Sequence, residues 1–208
     1  MATPTTDLAQ DFFAKLNALE HTRSKMEELF NQNLIEVHDI ERVYSGLVLE
    51  SFTAFEGLLE DLFLGLLTGT HISPQVKLKV TIQPESAIYE LLVGLGKGNY
   101  LEWMPYTNVE ARAKLFFEDD GKPFTGLNKL KDYLTELYTI RNVIAHQSKF
   151  SVEKFEKTFI QNKTLNPNEK TPLGFLRGRH VVSGNKTRMT RYEHYIIQLK
   201  AIAQHLCQ

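Results

Sequence analysis

The clearest helical pattern lies in residues 36–67, EVHDIERVYSGLVLESFTAFEGLLEDLFLGLL. Its apolar side chains recur every three or four residues, the spacing that places them on one face of an α-helix. Gly69 follows the run, and glycine commonly ends a helix because it tolerates the left-handed conformation of a C-terminal cap. Residues 7–32 show the same period, so the two segments predict an antiparallel helical hairpin.

Further helices are predicted over about residues 86–95, 109–117, 125–148, 152–159 and 190–206. Residues 71–84 instead alternate apolar and polar side chains between prolines, which is the period of a β-strand. Val181 and Val182 are candidates for its pairing partner. The prediction is a mainly α fold: a single helical-bundle domain over residues 1–208, with a small extended or β insertion at about residues 71–123.

Composition narrows the class of protein. The chain is 42% hydrophobic and 24% charged, values typical of a globular domain and not of a disordered chain. Cys207 is the only cysteine, so one chain forms no disulfide by itself, and no convincing metal-ligand cluster stands out. The N-terminus lacks the features of a signal peptide, and no apolar run is long enough to span a bilayer. We therefore expect a cytoplasmic protein that needs no metal or cofactor and does not act at a membrane.

Charge is unevenly distributed along the chain, although the net charge is only −1. Residues 1–60 hold 11 acidic side chains against 4 basic ones, whereas residues 161–191 hold 7 basic side chains against 1 acidic one. A local positive field can attract RNA, although a solvated loop would show the same composition. The candidate RNA-binding residues are Lys163, Lys170, Arg177, Arg179, Lys186, Arg188 and Arg191. Phe175 is a candidate for stacking on a nucleobase.

The segment RNVIAH, residues 141–146, holds the combination of side chains that best suggests chemistry. Arginine keeps a fixed positive charge and presents a fork of donors that matches phosphate oxygens, while histidine titrates near neutral pH. Together they suit cleavage of RNA without a metal. In that reaction the ribose 2′-hydroxyl attacks phosphorus after a base removes its proton, and a cation stabilises the phosphorane.

The spacing of these two residues is weak evidence by itself. Given the numbers of Arg and His in this chain, chance alone produces about one such pair, and Arg188 with His194 forms a second. On a helix, Asn142 and His146 share a face, whereas Arg141 lies about 140° around the axis from His146. A single straight helix is therefore expected to keep Arg141 and His146 apart, unless its end unwinds or two subunits converge.

The run RNVIAH, late in a long amphipathic helix, resembles the Arg-Asn-x-x-x-His signature of HEPN domains. The segment LVLESFTAFEGLLEDLF, residues 47–63, resembles the first core helix of that family. The ending GFLRGRHVVSGNKTRMTRYEHYIIQLKAIAQHL, residues 174–206, is similar to the tail of prokaryotic RiboL-PSP-HEPN proteins. The resemblance covers about two thirds of the chain, and the segment 71–123 lies outside it.

This resemblance implies a helical bundle, usually dimeric, with metal-independent endoribonuclease activity in toxin–antitoxin, phage-defence or RNA-processing systems. It implies that Arg141 stabilises the transition-state phosphate, that His146 is the general base or acid, and that Asn142 orients the scissile phosphate. Glu56, or alternatively Glu60, would orient the arginine or the histidine. A homodimer would bring two motifs to one cleft, and an antitoxin or another protein is a further candidate partner.

Each motif residue also has a purely structural explanation. His146 would interact favourably with the dipole at the C-terminus of its helix, and Arg141 could form an ion pair with Glu136. Asn142 could end the helix. The same residues fit a non-catalytic HEPN-like module that binds a nucleotide or a protein, or a structural dimerisation protein. The glycine cluster GLGKG, residues 94–98, is interpreted as a turn because the Gly-Lys-Ser/Thr of a phosphate loop is missing.

Overall fold

A computed structural model describes residues 3–79, 85–94, 101–161, 163–182 and 185–208. The fold is mainly α, as the sequence predicts. None of the helices in the described ranges combines the length and the apolar composition needed to cross a bilayer. The helices are α1 (Thr5–Asn31), α2 (Val37–Thr68), α3 (Glu85–Gly94), α4 (Thr107–Phe116), α5 (Leu130–His146), α6 (Lys149–Phe155), α7 (Pro172–Arg177) and α8 (Arg191–Leu206). A π-helical turn (Glu156–Ile160) follows α6, and a 3-10 turn (Pro167–Glu169) precedes α7.

The chain divides into two compact units. The first contains Met1–Phe13, Ala54–Thr135 and Lys200–Gln208, and the second contains Ala14–Thr53 and Glu136–Leu199. The long helices α1, α2 and α8 therefore contribute residues to both units, as does α5. Within the first unit Phe12 of α1 packs against Phe55 of α2, with 6.0 Å between ring centroids. This pairs an early residue of α1 with a late residue of α2, as in an antiparallel hairpin.

An aromatic cluster forms the core of the first unit. The ring of Phe63, on α2, lies at its centre and is fully buried. Four other rings surround it at centroid distances of 4.9–6.2 Å, those of Trp103, Phe116, Phe117 and Phe124. Large rings that pack edge-on or tilted bury much apolar area and add a specific geometric preference. The segment 71–123 is thereby attached to the C-terminal half of α2.

The predicted strand over residues 71–84 is extended only in part. Two residues form β2 (His71–Ile72), which pairs in parallel with β1 (Thr3–Pro4). Farther along, Leu78 forms an isolated bridge with Phe117. The remaining residues of this prediction, 80–84, lie outside the described part of the chain, as do residues 95–98 of the glycine-rich turn.

The prediction that Val181 and Val182 pair with this segment was wrong. Both belong to β3 (Arg179–Val182), which pairs antiparallel with β4 (Asn185–Thr190). The dipeptide Ser183-Gly184 stands between the two strands in the sequence, and Ser-Gly is typical of turns. A two-residue connection brings the next strand along the chain beside the first one, so a distant partner is not needed.

The predicted helix over residues 125–148 begins later than expected, at Leu130. Its first residues are excluded from the helix by left-handed backbone at Gly126, with φ of 84°, and at Asn128, with φ of 50°. Glycine and asparagine are the residues that tolerate this region best, so they favour a turn over a first helical turn. α7 was missed because it is only six residues long, too short for a helical period to stand out, and it directly follows the polar stretch of residues 161–171.

Candidate active site

Apolar side chains at helical spacing determine which face of α5 is turned inward. Four of them are at most 4% exposed, namely Leu134, Leu137, Ile140 and Val143. The polar motif residues are consequently displaced toward the surface: Arg141 and Asn142 are half-buried, and His146 is exposed. The sequence pattern that forms the helix therefore also presents the motif to solvent.

The end of α5 is defined by a left-handed residue directly after the motif. Gln147 has φ of 46°, and its backbone N–H donates to the carbonyl oxygen of Val143 at 3.2 Å. A left-handed residue at this position is a common helix terminator. Ser148 then begins α6 by accepting a hydrogen bond from the backbone N–H of Ser151 at its Oγ, also at 3.2 Å. His146 thus lies at the junction between α5 and α6.

Arg141 and His146 are in contact within one chain. The Nη1 atom of Arg141 lies 3.3 Å from Nε2 of His146 and donates to Oδ1 of Asn142 at 3.1 Å. The expectation that one helix keeps this pair apart was therefore wrong. The angle of 140° describes the Cα positions, but the arginine side chain has several rotatable bonds and extends along the helix surface to its end.

This contact places the imidazole beside the guanidinium. A guanidinium has only donors, so a hydrogen bond between these two atoms has Nε2 of His146 as its acceptor. When a substrate phosphate replaces the imidazole as the acceptor for Arg141, the Nε2 lone pair of an unprotonated ring is free to take a proton from a hydroxyl group. The pair is thus arranged as a base beside a fixed positive charge.

The aromatic ring of Phe52 supports the arginine. The guanidinium carbon of Arg141 lies 5.9 Å from the centroid of Phe52, and that ring stacks on Tyr138 at 5.9 Å and 21°. A cation over an aromatic face is attracted by the ring quadrupole. Within the described ranges, no hydrogen bond engages Nη2 or Nε of Arg141, so these donors remain for a ligand such as a phosphate.

The three glutamates predicted to interact with Arg141 or His146 lie in different parts of the fold. Glu56 and Glu60 are on α2 in the first unit, whereas the Arg141–His146 pair belongs to the second. Glu60 accepts a hydrogen bond from the indole N–H of Trp103 at 2.9 Å. The orienting role of Glu56 stays a prediction. Glu136 accepts a hydrogen bond from the hydroxyl of Tyr195 at 2.7 Å.

Two of the seven predicted RNA-binding cations form internal ion pairs. Arg177 donates to both carboxylate oxygens of Glu27, at 3.0 and 3.1 Å, and Arg191 donates to Glu169 at 2.9 Å. The side chains of these arginines are only 22% and 12% exposed. Arg191 also covers the ring of Phe175 at 4.5 Å. These charges are largely neutralised within the second unit.

The other predicted cations are more accessible. The side chains of Lys163, Lys170, Arg179 and Arg188 are exposed, and Lys186 lies on β4. Arg179 donates through Nη1 to the backbone carbonyl of Arg188, which joins the two strands of the hairpin. Phe175, by contrast, is 5% exposed and packs against Phe155 and Phe159. The prediction that Phe175 stacks on a nucleobase was therefore wrong, because helical packing of three phenylalanines buries it.

The second Arg–His pair of the sequence belongs to different elements. Arg188 is on β4, and His194 is on α8, where its ring stacks on His180 with 3.8 Å between centroids and 10° between planes. Burial lowers the pKa of both imidazoles; the neighbouring imidazole adds to this for His194, and Arg191 does so for His180. The arrangement is typical of two neutral, packed rings.

A polar cleft of about 640 Å³ lies in the second unit and was not predicted from the sequence. Arg179 and Arg188 contribute to its lining, together with Arg23 on α1 and Glu193 on α8. Arg23 donates to Glu193 at 2.6 Å. Residues so far apart in the chain carry no shared local pattern, so sequence reasoning had no signal for this cleft.

Among the residues that the structure describes, no three His, Cys, Asp or Glu side chains are grouped so that they could hold a metal ion. Comparisons with protein-family models, with curated proteins and with solved structures find no match to this chain. The resemblance to HEPN domains therefore rests on the motif residues and segments quoted from the sequence.

Proposed function

We propose that the protein is a metal-independent endoribonuclease of the HEPN type, with Arg141 and His146 as its catalytic residues. The observation that carries this proposal is the 3.3 Å contact between Nη1 of Arg141 and Nε2 of His146 at an exposed helix end. It places a fixed cation beside an imidazole, and a cation and a proton acceptor are the two groups that cleavage by an internal hydroxyl needs.

In the proposed reaction, Nε2 of His146 takes the proton from a ribose 2′-hydroxyl. The resulting oxygen attacks the adjacent phosphorus, and the bond from phosphorus to the 5′-oxygen breaks. The leaving oxygen takes a proton from the imidazolium or from water, so the products are a 2′,3′-cyclic phosphate and a 5′-hydroxyl. Arg141 donates to the non-bridging oxygens, whose negative charge is greatest in the transition state, and Asn142 orients the phosphate.

The proposal also covers how RNA is guided to the site, which carboxylate orients the catalytic pair, and how the protein assembles and acts. The exposed cations of residues 163–188 would guide the RNA backbone, because phosphate contacts provide affinity without sequence preference. Glu56 would orient one member of the catalytic pair, and a homodimer would place two pairs at one cleft. Action as a bacterial toxin or defence protein, with an antitoxin or other protein partner, follows from the HEPN resemblance, and we expect this action in the cytoplasm.

The proposal is tested by incubating purified protein with transfer RNA and total RNA in the presence of a chelator. Cleavage by the unaltered protein should be lost in Arg141→Ala and His146→Ala. Arg42→Ala and His205→Ala are matched controls, because both side chains are exposed and lie outside the motif. Mass spectrometry should find 3′ ends lighter by one water than a 3′-phosphate. Cleavage that persists in both motif variants would remove the catalytic assignment.

The second candidate is a non-catalytic HEPN-like module that binds a nucleotide. The polar cleft supports it, since its volume of about 640 Å³ lies in the range of small-molecule sites. Its lining holds four arginines and four glutamates; Arg179 and Arg188 are the exposed arginines among them. Calorimetric titration of ATP, GTP and their diphosphates into the protein distinguishes the two candidates. Saturable binding that Arg188→Ala weakens, together with intact RNA after long incubation, would favour the binding module.

A further inference from the structure

Phe150 is exposed to a degree unusual for a phenylalanine. Its side chain is 76% exposed, the highest value among the exposed large hydrophobic residues of the described chain. Every other Phe, Tyr or Trp whose burial the structure describes is buried or half-buried. Single exposed aliphatic residues are ordinary on protein surfaces, but a large aromatic ring exposed to this degree is a candidate for contact with another molecule.

Packing of its own helix does not account for this exposure. α6 buries Ser151 and Phe155, and Phe155 joins the cluster with Phe159 and Phe175. Phe150 lies about 140° around the helix axis from Phe155 and so points away from that cluster. A ring that is 76% exposed adds little to the packing of the described chain.

Phe150 lies close in sequence to the candidate active site. It follows His146 by four residues, across the turn in which Gln147 is left-handed and Ser148 caps α6. Both features restrict the backbone of this short connection, and Phe150 is presented in the first turn of α6, four residues after the imidazole in the sequence. An aromatic residue on a flexible loop would lose more conformational entropy when a ligand binds.

The charges around Phe150 are suited to a polyanion. The side chain of Lys149 is 91% exposed, and its Nζ lies 3.9 Å from Glu153 in a fully solvated ion pair that holds it only weakly. Lys154, one helical turn beyond Phe150, is also exposed. Residues 149–154 carry two lysines and one glutamate, a net charge of +1. The exposed ring offers one surface for a flat base, and the two lysines offer cations for the neighbouring phosphates.

We infer that Phe150 stacks on the base of the nucleotide that flanks the phosphate held by Arg141 and His146. This inference rests on the proposed ribonuclease function and adds a substrate-binding residue to it. Stacking on an aromatic ring requires an unpaired base, since a base inside a duplex has no free face. A base held in this way adds binding energy and keeps the adjacent phosphate in the neighbourhood of the Arg141–His146 pair.

The first test compares the steady-state kinetics of variants on a single-stranded RNA oligonucleotide. Phe150→Ala should raise KM by about 5- to 150-fold and leave kcat nearly unchanged, because it removes binding that is equal in the ground and transition states. Phe150→Tyr should retain the low KM, and Phe150→Leu should not, because leucine keeps apolar area without a planar ring. Val152→Ala is the matched control, an exposed apolar residue of the same helix.

The second test reports stacking without catalysis. In a His146→Ala background, Phe150→Trp introduces a fluorophore at the proposed contact, and the only other tryptophan, Trp103, is 2% exposed. Single-stranded RNA should quench the added fluorescence, and the same strand in a duplex should quench it less. The His146→Ala protein without the added tryptophan is the baseline.

The outcomes separate this inference from the proposed function. If the protein cleaves RNA and Phe150→Ala has an unaltered KM, the inference is overturned while the ribonuclease stands. If the protein never cleaves RNA but the tryptophan variant is quenched by single strands, the stacking contact stands and the catalytic role is lost. If Phe150→Ala instead changes the sedimentation coefficient without altering RNA binding, the ring serves contact between copies and the inference is overturned.

Discussion

Replacement of Arg177 by alanine should destabilise the fold and should not act mainly through RNA binding. The guanidinium donates to both oxygens of Glu27, at 3.0 and 3.1 Å. It also lies 4.5 Å from the ring centroid of Phe30 and 5.9 Å from that of Tyr44. The hydroxyl of Tyr44 donates to the same carboxylate at 2.8 Å. One arginine therefore connects α7 with α1 and α2 inside the second unit.

The expected loss of stability follows from these contacts. Removing one partner of a fully buried ion pair costs about 3–5 kcal/mol, because the other charge stays buried without compensation. Here the side chains of both Arg177 and Glu27 are 22% exposed. Water that reaches the remaining carboxylate reduces the penalty, so we expect about 2–3 kcal/mol. For a chain of this length that loss corresponds to a fall in Tm of about 5–10 °C.

Urea denaturation followed by circular dichroism measures this loss, with Arg42→Ala as the control for an exposed arginine on α2. A double-mutant cycle with Glu27→Gln should give a coupling energy of about 1 kcal/mol or more, since the two residues share hydrogen bonds. A loss below about 0.5 kcal/mol, the range of ordinary surface substitutions, would refute the reasoning. Additive effects of the two substitutions would refute it as well.

The same ion pair predicts how the effect depends on pH. Burial by itself would raise the pKa of Glu27, but hydrogen bonds from Arg177 and Tyr44 and the charges of Arg177 and Arg23 outweigh it and lower that pKa. A carboxylate with a lowered pKa in the folded state stabilises the fold above its unfolded pKa, and that contribution is lost as the pH falls. The difference in stability between the unaltered protein and Arg177→Ala should therefore be complete at pH 7 and narrow below about pH 4.5.

Three further predictions concern single sites. Arg188→Ala should weaken RNA binding and reduce the slope of log affinity against log salt by about 0.7, with an unchanged urea midpoint, because an exposed phosphate contact is lost. His194→Gln should flatten the dependence of Tm on pH below about 6.5. Burial and the stacked His180 lower the pKa of His194, so its contribution is present above pH 6.5 and is lost on acidification; an unflattened profile would contradict this. Gly174→Ala should lower the free energy of unfolding by about 1–3 kcal/mol, because the added Cβ would lie 1.8 Å from the backbone oxygen of Asn168. An unchanged midpoint of urea denaturation would show that the backbone there moves aside without cost.

The periodicity of the sequence was sufficient to predict the mainly α fold. The apolar residues of α2 and α8 step by threes and fours over four turns or more, and such long repeats leave little ambiguity. Helix ends were predicted less well, because they depend on single residues. The start of α5 was placed five residues early, since the left-handed backbone at Gly126 and Asn128 is not visible in an apolar pattern.

Short elements escaped prediction for a related reason. α7 has six residues and the strands of the hairpin have four and six, too few for a period to stand out. Such elements are stabilised by distant partners, as the stack of His180 on His194 and the ion pair of Arg191 with Glu169 illustrate. A local stretch of sequence contains only one of the two residues that form each contact, so the contact cannot be predicted from it.

The sequence by itself determined the helical class and the residues of the RNVIAH motif, because both depend on the order of side chains along one helix. Only the tertiary structure decided which groups meet. It brings Arg141 to His146 through the reach of a flexible side chain, which Cα geometry does not describe. It also engages Arg177 with Glu27 and covers Phe175. Exposure and pairing are properties of the packed chain, so residue type alone cannot assign them.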